Sequence, residues 1–353
     1  MCVTNPINVG LVGFGMAGQV FHGPLIHANP DLRLTHILER RGNEAHKKYP
    51  QAKVVRDLDS LLRESSVELI VVATPNTSHL EIATKSLEAG KHVVVDKPFT
   101  ITSADADQLI ALSKKVGRLL SVFQNRRWDG DFLSVRQILN QSLLGRLAEF
   151  HSRFDRFRPG VRPEAWREQS GPGSGVLFDL GSHLIDQAVV LFGRPTGIYA
   201  DLRMQRDRAV AVDNFEVQLQ YSNLKVTLHA GSLVCEPSPR FLLYGTAGTY
   251  QKFGLDPQEE ALKQGGIPGK SGWGEEVESA WGTITDCSGD VVRQKYRTLA
   301  GNYPGYYTNI YRAITGKEDL AVKPEQSRDI IHLIELAEQS TKEKRTVLVP
   351  DAS

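Results

Sequence analysis

The chain has 353 residues, which is more than one ordinary hydrophobic core accommodates and predicts about two domains. Its 42 lysine and arginine residues balance 41 aspartate and glutamate residues, so the broad positive charge that binds a nucleic acid or an anionic membrane is missing. The sequence has neither a signal-peptide pattern nor an apolar stretch of the roughly 20 residues that span a bilayer, and we expect a cytoplasmic protein without nucleic-acid or membrane partners.

The first 123 residues alternate short apolar segments with helical stretches. The apolar segments are rich in β-branched residues and are typical of strands buried on both faces; they lie at Ile7–Val12, Leu32–Leu38, Leu69–Val72, His92–Val95 and 119–123. Ser78 followed by Glu81 fits a capping box for a helix that ends at Gly90, and Thr102 with Asp105 opens another that ends near Gly117. This rhythm predicts an α/β domain with a doubly wound parallel sheet over residues 1–123.

From about residue 125 onward, strand-like segments follow one another with few helices between them. We place strands at 147–157, 198–205, 214–220, 225–233 and 241–244. Helices are predicted at 176–192 and 325–342 in this part of the chain, in addition to one at 19–28 in the first domain. The stretches 158–174 and 264–274 are predicted to be loops. Phe215, Val217 and Leu219 alternate with polar residues, which indicates a sheet with one solvated face. Residues 124–353 are therefore predicted to form an α+β domain with antiparallel pairing.

A glycine-rich segment follows the first predicted strand and leads into a helix, which is the context of a dinucleotide-binding turn. In such a turn the first glycine makes the bend, the second lets the backbone approach a pyrophosphate, and the third allows close packing of helix and strand. The alternative is a tight strand-to-helix turn without a ligand. The candidate cofactor-binding residues are Gly13, Phe14, Gly15, Met16, Ala17 and Gly18.

The residue that reads the cofactor ribose is expected about 20 residues further on, at the end of the second strand. Glu39 suits a ribose 2′-hydroxyl and favours NAD, whereas Arg40 or Arg41 suits a 2′-phosphate and favours NADP. A solvated charge cluster is the third interpretation. The sequence predicts NAD or NADP as cofactor without deciding between them.

Two further strand ends carry candidate cofactor contacts. Thr74, Pro75 and Asn76 follow the strand at Leu69–Val72, with His79 in the next helical turn, although the same residues also suit an ordinary turn. Asp96 and Lys97 follow the strand at His92–Val95, and Pro98 biases Lys97 away from helical torsions. Lys97 is thereby predicted at the carboxyl end of a parallel sheet, where ligands of such sheets bind.

Asp179 and His183 are four residues apart in a predicted helix, so both side chains are expected on one face, which Gly181 leaves open. A histidine near a carboxylate moves protons at neutral pH. An N-cap aspartate with a core histidine is the structural alternative. A metal pair lacks additional ligands, so we expect no metal. Cys2, Cys235 and Cys287 are too far apart in the sequence for a zinc site or a disulfide framework, and we expect reduced, buried or bystander thiols.

Aromatic and basic residues form the remaining candidate substrate contacts, because tryptophan and arginine stack on and donate to polyhydroxylated ligands. Ties between the domains are the alternative for these clusters, and a structural role is the alternative for the tyrosines. The candidates are Asn125, Arg127, Trp128, Trp166 and Tyr306, with Arg126, Arg167, Tyr303 and Tyr307 as their neighbours.

Taken together, the glycine motif, the Asp96-Lys97-Pro98 segment, residues 125–128 and the Asp179-x-Gly181-x-His183 motif resemble the Gfo/Idh/MocA oxidoreductase family. The likeness covers nearly the whole chain. Within the family, the segments at residues 21–24, 125–129, 166–168 and 179–183 are most similar to the NADP-dependent scyllo-inositol dehydrogenase type. Family members commonly carry Glu-Lys-Pro, where this chain has the shorter Asp96.

The resemblance implies an N-terminal Rossmann domain and a second domain with a large, mostly antiparallel sheet that often mediates homodimers or homotetramers. It also implies that Lys97, Asp179 and His183 are the catalytic residues of an NAD(P)-dependent dehydrogenase. The expected substrate is a secondary alcohol of a polyol, a cyclitol or a sugar, and either Lys97 or His183 takes the proton. A non-catalytic NAD(P)-sensing regulator and an NAD-assisted glycoside hydrolase are the two rival functions.

Overall fold

The computed structural model describes residues 5–350, so Cys2 lies outside the described part. The chain divides into two compact units, each of which is discontinuous in sequence. The first unit comprises residues 5–128, 258–273 and 302–328, and the second comprises 129–257, 274–301 and 329–350. The predicted domain boundary after residue 123 stays a prediction.

The first unit contains a six-stranded parallel sheet of the predicted doubly wound kind. Its strands are β1 Ile7–Val12, β2 Leu32–Leu38, β3 Lys53–Val55, β4 Leu69–Val72, β5 His92–Val95 and β6 Leu120–Val122. They are arranged in the order β3-β2-β1-β4-β5-β6, and every neighbouring pair is parallel. The strand order reverses between β1 and β4, which places a ligand-binding crevice at the carboxyl ends of these strands.

The α-helices of residues 5–350 include several that the sequence did not predict, among them α6 and α9. Their bounds are α1 Gly23–Ala28, α2 Glu44–Lys48, α3 Leu58–Leu62, α4 His79–Glu88, α5 Ser103–Val116, α6 Gly130–Asn140, α7 Ser182–Phe192, α8 Gln258–Lys263, α9 Pro304–Ile314 and α10 Pro324–Glu343. Two wider π-helical segments, Ala17–His22 and Leu177–Gly181, lead into α1 and α7. Short 3₁₀ turns lie at Asn76–Ser78, Asn125–Trp128, Trp166–Glu168 and Glu278–Ala280.

The helix caps test two sequence predictions in the first unit. The Thr102 hydroxyl accepts a hydrogen bond from the Asp105 amide at 3.1 Å, and α5 ends at Gly117 with φ of 63°, so that prediction is confirmed. The capping box predicted at Ser78 is wrong. The Ser78 hydroxyl instead donates to the preceding turn, toward Thr74 Oγ1 and the Pro75 carbonyl oxygen, each at 2.8 Å.

The second unit contains a nine-stranded, mostly antiparallel sheet, as expected. Its strands are β7 Leu147–Arg153, β8 Gly197–Arg203, β9 Asn214–Gln220, β10 Lys225–Gly231, β11 Phe241–Gly245, β12 Gly248–Lys252, β13 Gly282–Asp286, β14 Val292–Tyr296 and β15 Val347–Leu348. The order is β14-β13-β12-β11-β7-β10-β9-β8-β15, and among the described strands of this sheet only β7 and β10 pair in parallel. The prediction of a large, mostly antiparallel sheet is thus confirmed.

Apolar and polar residues alternate along β9, in agreement with the prediction of a sheet with one buried and one solvated face. Phe215, Val217 and Leu219 are buried, while the residues between them are half-buried, so one face of the sheet forms the core and the other is solvated. Cys235 and Cys287 are free and exposed, so of the expected alternatives the buried one does not apply to these two residues. None of the helices within residues 5–350 combines the length and the apolar character needed to cross a membrane.

Candidate active site

The glycine turn after β1 has the geometry of a cofactor-binding loop. Gly13 has φ of 98°, and a Cβ atom there would lie 2.7 Å from the Ala73 carbonyl oxygen in the loop after β4. A Cβ atom on Gly18 would clash with the Gly13 carbonyl oxygen, whereas one on Gly15 would meet no atom within 4 Å. The outer two glycines are thus required by packing, and the middle one leaves an open cradle that fits a pyrophosphate.

The backbone that follows the cradle supplies donors for an anion. Gly15 and Met16 are exposed, and Ala17 begins the helical segment whose first amides lack partners within the helix. Phe14 is buried and packs edge-on against Tyr49 with ring centroids 6.1 Å apart, so a contact of Phe14 with a cofactor would involve only its backbone. These residues fit NAD or NADP through main-chain groups.

Glu39 lies at the carboxyl end of β2 but is directed toward the protein. Its Oε1 accepts a hydrogen bond from the Glu44 amide at 3.1 Å and its Oε2 accepts one from the Ala45 amide at 3.4 Å. The carboxylate therefore stabilises the start of α2 and is buried, while Arg40 and Arg41 beside it are exposed. Binding of the ribose by Glu39 or Arg40 stays a prediction.

In the loop after β4, exposure differs sharply between neighbouring residues. Pro75 is exposed and Thr74 half-buried, whereas Asn76 and His79 are buried. The His79 Nδ1 lies 3.0 Å from the Pro98 carbonyl oxygen, and its Nε2 lies 3.0 Å from that of Thr74. Burial lowers the His79 pKa, against the opposing effect of the Asp96 carboxylate and these carbonyl groups. His79 thus connects the loops that follow β4 and β5.

Asp96 and Lys97 end β5 as predicted. Asp96 is buried with its Oδ1 3.5 Å from Nε2 of the fully buried His22, whose Nδ1 lies 2.6 Å from the Tyr307 hydroxyl. Burial raises the pKa of Asp96, but His22 and Lys97 outweigh it and hold that pKa below its usual range. Lys97 is half-buried, between the buried Asp96 and Pro98, and so reaches the carboxyl edge of the sheet.

Residues 125–128 are mostly held inside the first unit. Arg126 Nη2 binds Glu259 Oε2 at 2.6 Å, and Arg127 Nη1 donates to the Ala321 carbonyl oxygen at 2.9 Å. Asn125 is buried and Trp128 half-buried. Their predicted substrate contacts are untested.

Tyr306 is buried, with its hydroxyl 3.2 Å from Ser121 Oγ and its ring edge-on to Phe123 and Trp128. The structure thus gives it a packing role, and its substrate-binding role stays a prediction. Tyr303 is buried as well.

The second unit places Asp179 among arginines. Asp179 Oδ1 lies 3.3 Å from Arg167 Nε, and Asp179 Oδ2 lies 3.9 Å from Arg156 Nη1. The Arg167 guanidinium also stacks over the Trp166 ring at 4.5 Å. The predicted Trp166 and Asp179 therefore belong to one cluster, connected by Arg167.

His183 is buried in the first turn of α7. The open face expected at Gly181 is wrong, because a Cβ atom there would lie 3.0 Å from Leu177 Cδ1 and 3.4 Å from Phe215 Cζ. Packing against β9 therefore explains this glycine. Asp179 lies within the π-helical segment Leu177–Gly181 rather than at an N-cap, and such segments are frequent at functional sites.

Sequence reasoning missed several residues of these sites. Arg156 and Arg206 join the Asp179 cluster from segments that carried no recognisable motif, and only the folded chain reveals them. His22 was noted as part of a family-like segment, but its pairing with Asp96 was not predicted. Within residues 5–350, no group of three or more histidine, cysteine, aspartate or glutamate residues is arranged to hold a metal ion.

Comparisons with known proteins identify both halves of the chain. Residues 7–124 match the NAD-binding Rossmann fold of an oxidoreductase family, and residues 136–349 match the C-terminal alpha/beta domain of that family. The uncharacterized oxidoreductase YdgJ of Escherichia coli is 43% identical over 346 residues, which cover 98% of this chain and 99% of that protein. The scyllo-inositol 2-dehydrogenase (NADP(+)) IolW of Bacillus subtilis is 37% identical over 344 residues, which cover 97% and 96% of the two chains.

A solved structure shares the whole architecture. The oxidoreductase yvaA from Bacillus subtilis superposes with a TM-score of 0.95 at 36% identity, covering 98% of this chain and 99% of that one. The fold class predicted from sequence, a parallel Rossmann sheet followed by a mostly antiparallel one, is confirmed. The chain belongs to the Gfo/Idh/MocA oxidoreductase family, with an NAD-binding N-terminal half.

Proposed function

We propose that the protein is an NADP-dependent dehydrogenase that reversibly oxidises a secondary alcohol of a polyol, a cyclitol or a sugar. The observation that carries the proposal is the position of Lys97 at the carboxyl end of β5, next to the β1–β4 switch point with its glycine cradle. The relation to IolW, an inositol dehydrogenase by name, supports this substrate class.

The proposed NADP preference depends on the contrast between Glu39 and the two arginines that follow it at the carboxyl end of β2. Both carboxylate oxygens of Glu39 already accept amide hydrogens of α2. The exposed Arg40 and Arg41 present guanidinium groups, which bind a phosphate in two parallel hydrogen bonds. A 2′-phosphate therefore suits this end of the strand better than a 2′-hydroxyl.

When bound, a nicotinamide cofactor would supply the hydride-accepting group for oxidation at the carbinol carbon. The main-chain amides after Gly15 would hold its pyrophosphate. The Lys97 ammonium donates a hydrogen bond to the reacting oxygen and stabilises the negative charge that develops there. The His183 imidazole takes the hydroxyl proton as general base, and Asp179 orients a substrate hydroxyl. In the reverse direction His183 returns the proton.

The test compares Lys97→Met and His183→Asn with two exposed controls, Lys115→Met and His46→Asn. Reduced cofactor is followed by absorbance with a panel of inositols and aldoses. We expect each active-site variant to lose about 10²- to 10⁴-fold in kcat while NADP affinity stays within a few-fold of wild type. Full turnover by either variant would contradict the assigned roles.

The same panel separates the rival functions. Release of sugar from a glycoside without accumulation of reduced cofactor would indicate an NAD-assisted hydrolase. Cofactor binding without turnover of any alcohol or glycoside would indicate a sensor. Assembly into homodimers or homotetramers belongs to the same proposal and is checked by sedimentation or light scattering.

A further inference from the structure

A cavity in the second unit is lined by an unusual number of arginines. It lies between the segment after β7, the loop 158–174, the start of the Leu177–Gly181 segment and the stretch 206–212. Among the described residues that line it, five are arginines and two are acids. The arginines are Arg156, Arg158, Arg162, Arg167 and Arg206, and the acids are Glu168 and Asp179.

Two of the guanidinium groups are compensated by carboxylates of the protein. Arg206 binds Asp213 at 3.0 Å and Glu168 at 3.1 Å, with its side chain only 6% exposed. Arg162 binds the other oxygen of Glu168 at 3.0 Å. Burial raises the pKa of Glu168, but Arg162 and Arg206 outweigh it and keep that pKa low, so the carboxylate is ionised. These pairs fix part of the cavity lining.

Of the other three arginines, two lie beside the carboxylate of Asp179. Arg167 and Arg156 both lie beside Asp179, at 3.3 Å and 3.9 Å. Within residues 5–350, no carboxylate forms an ion pair with Arg158, which is exposed at the mouth of the cavity. Even with Asp213 counted, positive charges exceed negative ones in this partly enclosed place. An excess of positive charge there attracts an anion more strongly than it would in open water.

Two of these arginines are also held in place by aromatic rings. The Arg167 guanidinium stacks on Trp166, and that of Arg156 lies 4.9 Å from the centroid of the Phe154 ring. Stacked guanidinium groups lose less side-chain entropy on binding, and their planar fork matches a carboxylate or a phosphate. The cavity thus has the properties of a binding site for an oxyanion.

The cavity has room for such a group. About 60 Å³ is available to water-sized groups, each of which needs about 10–15 Å³. A carboxylate or a phosphate group fits within this volume.

We propose that this cavity binds an anionic substituent of the substrate, a carboxylate or a phosphate, so that the alcohol oxidised belongs to an acidic sugar or cyclitol derivative. The proposal rests on the function proposed above, in which Asp179 orients a substrate hydroxyl. Because Asp179 also lines the cavity, the hydroxyl and the anionic group are recognised side by side within one unit.

The kinetic test uses the full-length protein with glucose, glucuronate and glucose 6-phosphate as a matched series, and with myo-inositol beside an inositol monophosphate. We expect kcat/KM for one acidic class to exceed that of its neutral parent at least tenfold, and the preferred class distinguishes carboxylate from phosphate. Arg158→Gln is expected to lower this acidic-to-neutral ratio about 10- to 100-fold, the range of a hydrogen bond to a charged group. The control Arg146→Gln removes an exposed arginine outside the cavity and leaves the ratio unchanged.

A binding test separates this proposal from the proposed function. Titration calorimetry with glucuronate, glucose 6-phosphate and inorganic phosphate is expected to show binding that Arg158→Gln weakens about tenfold or more and Arg146→Gln does not. Such binding without turnover of any alcohol would support the anion site while overturning the dehydrogenase. Turnover of neutral and acidic sugars with equal kcat/KM, unaffected by Arg158→Gln, would overturn the anion site and leave the dehydrogenase standing.

Discussion

Gly15→Ala is expected to impair cofactor binding without impairing folding. A Cβ atom at this position meets no atom within 4 Å, and the backbone there does not have a positive φ. The methyl group therefore costs the folded chain nothing by contact. Replacing glycine where the backbone tolerates alanine stabilises a protein by about 0.4–1 kcal/mol, because the unfolded chain loses freedom.

The cost appears only when a pyrophosphate approaches the cradle. A methyl group in a closely packed contact costs about 1–3 kcal/mol, and each 1.4 kcal/mol weakens binding tenfold. We therefore expect the dissociation constant of NADPH to rise about 5- to 150-fold, measured by titration of its fluorescence. The free energy of unfolding, measured by urea denaturation without cofactor, should equal or slightly exceed that of wild type.

The neighbouring glycines are the matched controls. Gly13→Ala forces a side chain into a backbone with φ of 98° and against the Ala73 carbonyl oxygen at 2.7 Å. Gly18→Ala creates a clash with the Gly13 carbonyl oxygen. Each should destabilise the protein by about 1–3 kcal/mol even without cofactor. The reasoning is refuted if Gly15→Ala binds NADPH normally, or if it destabilises the cofactor-free protein as much as Gly18→Ala does.

Three further outcomes follow from the first unit. In cofactor titrations, Arg40→Ala should weaken NADP binding at least tenfold and change NAD binding less than twofold. Glu39→Ala should mainly lower the free energy of unfolding by about 1 kcal/mol, measured by urea denaturation, because its carboxylate accepts two amide hydrogens of α2. Burial raises the Glu259 pKa, but Arg126 and Lys263 together outweigh it and hold that pKa at about 2. Glu259 therefore contributes about 3 kcal/mol to the free energy of unfolding above pH 4.5, and this contribution is lost as pH falls through about 2. The destabilisation by Glu259→Gln should shrink over that interval in urea denaturation, and a constant difference would contradict the pairing. Tyr307→Phe removes the hydroxyl 2.6 Å from a buried imidazole and should lower the unfolding free energy by about 1–3 kcal/mol, and an unchanged denaturation midpoint would contradict this.

The first sheet was largely predictable because its strands are buried on both faces. The runs at β1, β2, β4 and β5 consist of apolar and β-branched residues with few polar ones, so their limits matched the structure to the residue. The edge strand β3 has three residues, of which the first is the exposed Lys53, and offers too short a pattern to detect.

The second sheet was harder to predict, because some of its strands have weak sequence patterns and are held mainly by pairing with their neighbours. Most of β14 is exposed, and the strand is held by its register with β13 rather than by an apolar face. The parallel pairing of β7 with β10 joins segments about 80 residues apart, and no local pattern encodes which strand lies beside which. Local periodicity therefore predicts strands, while their order depends on the whole chain.

The same distinction between local patterns and long-range contacts applies to the candidate site. The roles of Gly13, Gly15 and Gly18 could be predicted because they depend on residues adjacent in sequence. The environment of Asp179 could not be predicted, since its arginine partners come from separate segments of the chain. The partner of His22, Tyr307, lies 285 residues further on.

Asp96 shows why such distant contacts matter for the chemistry. The shorter carboxylate, in place of the glutamate common in the family, lies 3.5 Å from His22, and His22 belongs to the helical segment that begins beside the glycine cradle. A buried carboxylate is costly unless it is paired, so this contact fixes Asp96 and with it the backbone of the next residue, Lys97. The segment that would hold the pyrophosphate and the lysine that would meet the alcohol are thereby joined through one buried pair. Movement of either would strain the other, because both members of the pair are buried.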